Sequence, residues 1–174
     1  MNLSLTKCKV EQLDALLHLS RTTFIQAFAH LNDPDDFQSY MDEAFSDKTL
    51  GLEFKNPNSS FYFVYCNKQL AGYFKLNQGM AQTDLRDVHS LEIERIYVLQ
   101  EFQGKGIGQW LLSRIKEFAQ KEGKRYLWLG VWQKNNNAIR FYETHGYTKF
   151  GEHPYFIGKD QQTDWLMRLD ITNL

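Results

Sequence analysis

The apolar positions of this chain change period several times, and each change marks an element. Leu3, Leu5, Cys8 and Val10 suggest a short opening strand, after which Leu13, Leu16, Leu17, Phe24 and Phe28 recur at helical spacing. Asp33 before Pro34 is an N-cap followed by proline at the first helical position, which starts a second helix through DDFQSYMDEAF; Ser46 and Asp47 can cap a further turn. FYFVYC and LAGYFKL, rich in aromatic and branched residues, flank Asn67 to Gln69 and read as a β-hairpin. SLEIERIYVL, Ser90 to Leu99, is the next strand, with Glu92, Glu94, Ile96 and Val98 on one face by period two. Ile107, Leu111, Leu112, Ile115 and Phe118 mark an amphipathic helix ending at Gly123. Tyr126 to Trp132 is apolar enough for a strand covered on both faces, Asn135 to Asn137 cap a helix closing on Gly146, and YTKFGE with TDWLMRL form a final antiparallel pair.

Strands and helices in this order predict a mixed sheet with helices packed on it. With no internal repeat, low-complexity stretch or linker, residues 1–174 read as one domain. That length buries a core without staples, so Cys8 and Cys66, which form no CxxC pair or metal-ligand cluster, read as reduced core thiols and no metal is expected. MNLSLTKCKVEQLDALL lacks a basic lead and apolar run, and no stretch approaches the roughly 20 apolar residues of a bilayer span. These features predict a soluble cytoplasmic protein.

The net charge of −1 disfavours a nucleic-acid partner, which a basic stripe would serve, and Trp110, Trp128, Trp132 and Trp165 read as packing residues. Charge is nonetheless uneven. Residues 32–54 hold seven acidic residues, among them Asp33, Asp35 and Asp36, against Lys48 alone, whereas 101–125 hold six Lys or Arg against three Glu. An acidic wall in the first region would favour a cation, although a solvated helix face gives the same bias.

The stretch EFQGKGIGQWLL carries the clearest chemistry. A strand that runs into a glycine-rich turn and then a helix presents free backbone N–H groups where partial positive charge collects, which suits phosphate. The dinucleotide fingerprint fails, because its third glycine would fall on Gln109 or Leu111, and no Gly-Lys-Ser/Thr arrives at the offset a P-loop needs. Gln103, Gly106 and Gly108 instead make a loop that resembles the pyrophosphate loop of the Gcn5-related N-acetyltransferases. EIERIYV resembles that family's splayed fourth strand, and LGVWQKNNNAIRFYETHGY, with Asn135, Ala138, Phe141-Tyr142 and Gly146-Tyr147, resembles its second conserved block.

The resemblance implies a central, mostly antiparallel sheet of about seven strands flanked by about four helices, with strands 4 and 5 splayed to hold acetyl-CoA. It implies that Gln103, Gly104, Lys105, Gly106, Ile107 and Gly108 hold the pyrophosphate, and that Ile96, Tyr97 and Val98 pair with the pantetheine arm and orient the thioester. Asn135 stands where the family contacts that arm, and a plain helix cap is an equal reading. Tyr142 matches the tyrosine that protonates the leaving thiolate. Glu92 and Glu94 share a strand face where either can accept the amine proton or form a salt bridge, and Glu94 has Arg140 and Lys105 as candidate partners. His89, His145 and His153 read as structural.

The flanks EIERIYV and GEHPYFIGKDQQTDW are similar to bacterial spermidine and spermine N-acetyltransferases, which makes a small cationic polyamine the leading acceptor and direct attack in a ternary complex the simplest route. A protein N-terminus, a lysine, another small amine, or a non-catalytic acyl-CoA-binding regulatory role stand as alternatives. Homodimers fit such a fold.

Overall fold

The computed structural model describes residues 1–171 of the chain, so the last three positions of the 1–174 reading lie outside the described residues. Strands β1 (Leu3–Lys7), β2 (Ser59–Cys66), β3 (Gln69–Asn77), β4 (Ser90–Val98), β5 (Tyr126–Trp132), β6 (Thr148–Ile157) and β7 (Asp160–Asp170) form one sheet in the order β1-β2-β3-β4-β5-β7-β6. Only β4 and β5 run parallel, joined by the crossover helix α4 (Ile107–Lys121); the remaining neighbours are antiparallel. Helices α4 and α5 (Asn136–Thr144) cover one face, where Ile107, Leu111, Ile115 and Tyr142 pack on Leu91, Ile93, Leu127 and Leu129. Helices α1 (Leu13–Phe28), α2 (Pro34–Ala44) and α3 (Asp47–Lys55) cover the other through Leu16, Phe24, Phe37, Met41, Leu50, Phe61 and Tyr73.

Local signals place most boundaries. The Asp33 carboxylate accepts from the amides of Asp35 and Asp36, and Ser46 Oγ accepts from Thr49 N, so the turn after Ser46 grows into a fifth helix where about four were expected. Asn67 and Lys68, both at positive φ, close the β2–β3 hairpin. Cys8 and Cys66 are buried free thiols, as expected.

Two departures matter for the site. A bulge in β4 makes Lys75 oppose Arg95 while its neighbour Leu76 opposes Ile93, leaving Glu94 as the extra residue. The period-two expectation therefore breaks: Ile96 and Val98 pack with the α4 side, whereas Glu92, Glu94, Arg95 and Tyr97 face the side of α1 and α3. The second departure is β6, which runs on through Pro154 to Ile157, beyond the expected YTKFGE. Pro154 is accommodated because β6 is the edge of the sheet, where a missing N–H costs no ladder bond.

Candidate active site

Strands β4 and β5 pair only at Ser90–Tyr126, Leu91–Leu127 and Glu92–Trp128. Beyond Glu92 they part, and the edge of β4 from Ile93 to Val98 that faces β5 has no strand partner. The gap opens into two cavities that share Ile96, Val98, Gln103, Asn135, Ala138 and Tyr142. One, about 610 Å³, lies on the α4 and α5 side. The other, about 300 Å³, reaches through the gap to α1 and is bounded there by Phe24, Phe28, Glu94, Tyr155 and Asp164.

The α4 end is made largely of backbone. Gly104 and Gly106 have φ of 72° and 76°, and Gly106 caps α4 without any side chain, leaving the first amides of the helix free. A Cβ on either glycine would meet no protein atom within 4 Å, so the backbone faces open space that a phosphate group fits. The positive φ is thus the internal reason for glycine at both positions. Gly108 is small for another reason, since its Cβ would stand 3.1 Å from Phe141 Cζ. Of the other loop positions, Ile107 is buried in the core, and Lys105 turns away: its Nζ donates to the Glu101 carbonyl (2.8 Å) and lies over the Phe102 ring. Gln103 donates through Nε2 to the Val98 carbonyl (2.9 Å), which ties the loop to the open end of β4. Asn135 caps α5 by accepting from Ala138 N and also lines both cavities, so the cap leaves it free to border a ligand there.

Tyr142 projects from α5 into both cavities. Burial pushes its phenol up to about 12, so it stays protonated through neutral pH.

The two strand glutamates are placed very differently. Glu92 is buried and set back from both cavities, its carboxylate held by Thr83 N, Thr83 Oγ1 and Asn77 Nδ2; burial raises its pKa more than these bonds lower it. Glu94 reaches the α1-side cavity but belongs to an ion network. It faces Lys75 Nζ (2.5 Å) and Arg95 (3.4 Å), and both cations also meet Glu53 from α3. Burial alone would raise its pKa, yet Arg95 and Lys75 outweigh burial and hold it below the usual carboxylate range. The expected partners Arg140 and Lys105 are replaced by Lys75 and Arg95, which the bulge brings onto the same face.

Sequence reasoning missed most of the α1 end. Phe24, Phe28, Tyr97 and Tyr155 form an aromatic rim, with Phe24 4.7 Å from Phe28 and the hydroxyls of Tyr40 and Tyr155 hydrogen-bonded. Asp164 on β7 faces the cavity above Gly130, where a Cβ would stand 3.5 Å from Asp164 Oδ2. Burial raises its carboxyl to about 6, against the lowering effect of His153. His153 lies beside it: its Nδ1 meets Asp84 Oδ2 at 2.9 Å and its Nε2 lies 3.8 Å from Asp164 Oδ2. An acidic residue inside a strand, where propensity disfavours it, was the available signal for Asp164.

The acidic wall expected from residues 32–54 does not line the cavity. Asp33 caps α2, Asp36 packs under the β6–β7 turn at Gly158, Asp42 pairs with Arg21, and Glu53 serves the ion network. The carboxylates that do line it are Glu94 and Asp164, and among the described residues no Lys or Arg joins them.

Comparison with known proteins agrees with this geometry. Residues 15–147 match the model of the acetyltransferase (GNAT) family. An uncharacterized N-acetyltransferase of Lactobacillus delbrueckii subsp. lactis is 39% identical over 158 residues, covering 91% of each chain. Among solved structures, the PaiA N-acetyltransferase of Thermoplasma acidophilum in complex with coenzyme A has a TM-score of 0.74 at 20% identity, covering 98% of this chain and 99% of the other. The spermidine N-acetyltransferase of Vibrio cholerae in complex with CoA and spermine has a TM-score of 0.71 at 21% identity, covering 97% and 95%. No helix among the described residues is long and apolar enough to cross a membrane.

Proposed function

The chain belongs to the acetyltransferase (GNAT) family, as an N-acetyltransferase that uses acetyl-CoA, and we propose that its acceptor is a small polycationic amine of the spermidine and spermine class. The observation that carries this reading is the lining of the α1-side cavity, which has two carboxylates, a rim of aromatic faces and no basic side chain. Carboxylates attract an ammonium group, and ring faces hold methylenes and a second cation. The Vibrio cholerae neighbour, a spermidine N-acetyltransferase of similar fold that holds CoA and spermine, supports the reading.

Bound acetyl-CoA supplies the activated acetyl group. The Gln103–Gly108 loop and the first amides of α4 hold its pyrophosphate, with Gly104 and Gly106 keeping the approach clear and Gly108 making room for Phe141. Along the open edge of β4, backbone groups of Ile96, Tyr97 and Val98 bind the pantetheine arm and donate to the carbonyl oxygen as it gains charge. Asn135 borders the same arm. Tyr142, kept protonated by burial, gives its proton to the sulfur as the C–S bond breaks. The amine enters from the opposite face, past Phe24 and Tyr155. Glu94, its charge balanced by Lys75 and Arg95, offers a carboxylate oxygen at its entrance, and Glu92 fixes the connection before β4 through Thr83.

Release of free CoA thiol from acetyl-CoA tests this, with spermidine, spermine, a lysine peptide and no acceptor compared. Saturable release with the polyamines supports the proposal. Release with the peptide alone overturns it.

A further inference from the structure

We propose that Asp164 is the group that takes the proton from the acceptor amine, and that His153 and Asp84 pass this proton on to solvent. The inference rests on the reading that an amine enters from the α1 face. It differs from the sequence expectation, which gave this task to Glu92 or Glu94.

Geometry separates the three carboxylates. Glu92 does not reach the cavity, and Glu94 is engaged by two cations that stabilise its charged form and make it a weak proton acceptor. Asp164 borders the same cavity as Tyr142, but from the strand beyond the gap and on the acceptor side. Acid and base would therefore approach the reacting carbon from opposite faces of the sheet, the arrangement that transfer between two separately bound substrates requires. Burial places the Asp164 carboxyl at about 6, close to the pH at which it must work, whereas an ordinary aspartate would hold a proton too weakly.

The proton balance is simple. The alkylammonium gives one proton to the Asp164 carboxylate and becomes a neutral amine. Its lone pair forms the N–C bond as the C–S bond breaks, and the sulfur, which keeps the bonding electrons, takes a proton from Tyr142. The proton that the amide nitrogen then sheds restores the tyrosine, so each turnover leaves one proton on Asp164 to be discharged. His153 Nε2 stands 3.8 Å from Asp164 Oδ2, a gap that a small rotation or one water spans. On its far side Nδ1 is held by Asp84 at 2.9 Å, and Asp84 is 39% exposed, so the chain ends in solvent. The groups around Asp164 are His153 and Tyr155 from β6, Gly130 and Trp132 from β5, uncharged Thr23, Phe24 and Phe28 from α1, and Glu94 and Tyr142 across the cavity. His153 acts as a positioning and relay residue.

The test compares wild type, Asp164→Asn and His153→Gln with two amines besides spermidine. Butylamine is charged at neutral pH and needs a base, while trifluoroethylamine is already neutral. Asp164→Asn is expected to lower kcat/KM for butylamine about 100-fold, to abolish the acidic limb of its pH profile, and to leave trifluoroethylamine nearly unaffected. His153→Gln removes both the relay and the lowering effect of His153 on the Asp164 carboxyl, so that limb is expected to move to higher pH. Equal losses for both amines, or an unchanged limb, would overturn the proposal. Turnover of butylamine without spermidine would sink the polyamine reading while leaving Asp164 testable. A readout that needs no acceptor is the carboxyl-carbon NMR titration of Asp164; an ordinary aspartate value, unmoved by His153→Gln, also overturns it.

Discussion

At the α4 end of the cleft the cavity is faced mainly by backbone: two glycines at positive φ, an uncapped helix start and the free edge of β4. At the α1 end it is faced by side chains from elements far apart in sequence, with Phe24 from α1, Glu94 from β4, Tyr155 from β6 and Asp164 from β7. The difference separates two kinds of recognition. A backbone cradle serves a ligand common to many relatives and tolerates change in side chains around it. A side-chain cage fits one acceptor and is rebuilt by single substitutions.

The sharpest way to break this comparison is at Tyr142, which both ends share. Tyr142→Phe is expected to lower kcat about 100- to 1,000-fold with little change in the KM for acetyl-CoA, since the role proposed for the phenol is confined to the step in which the bond breaks. An intact rate would remove the tyrosine from the mechanism. Next comes Glu94→Ala, which leaves Lys75 and Arg95 to share Glu53 in a mostly buried site. Stability to urea should fall by about 3 kcal/mol.

Asp164 gives a pH-dependent counterpart. Its folded-state carboxyl is raised from the ordinary 3.8 to about 6, so protonation favours the fold below about pH 4 and that advantage is lost as pH rises through 6. Asp164→Asn should therefore raise stability by up to about 3 kcal/mol at about pH 8 and change it little at about pH 4, as thermal melts at the two pH values would show. On the backbone side, Gly106→Ala forces an L residue to positive φ and should weaken CoA binding about tenfold, by roughly 1–2 kcal/mol of strain, measurable by calorimetry. The smallest effect is expected from neutralising Asp33, Asp35 and Asp36 together. Because none of them lines the cavity, the acceptor KM should move less than about twofold in steady-state assays.

Legibility in the sequence follows the same divide. Glycine spacing and helix caps are local signals, so the loop at Gly104 to Gly108, the Asn135 cap and the strand from Tyr126 to Trp132 could be read directly. The fold class followed from element order. What could not be read depended on register between strands. One extra residue at Glu94 turned Ile96 and Val98 to the opposite face, and no single-chain periodicity announces a bulge. β6 runs past YTKFGE and through Pro154 because it is the edge of the sheet, and the sequence does not say which strand is the edge. The acidic surplus near α2 was real but was used in capping and packing, so its count carried no information about the cavity.

The short contact between β4 and β5 also divides the sheet in time. Three residue pairs join a four-stranded half to a three-stranded half, and from Ile93 onward the amides of β4 that point away from β3 have no strand to bond. In a hydrogen-exchange experiment these amides should trade deuterium early in the free protein, while the β2–β3 ladder holds its protons. Binding of acetyl-CoA should slow them selectively, so the middle of the molecule, rather than its rim, would record when the cosubstrate is present.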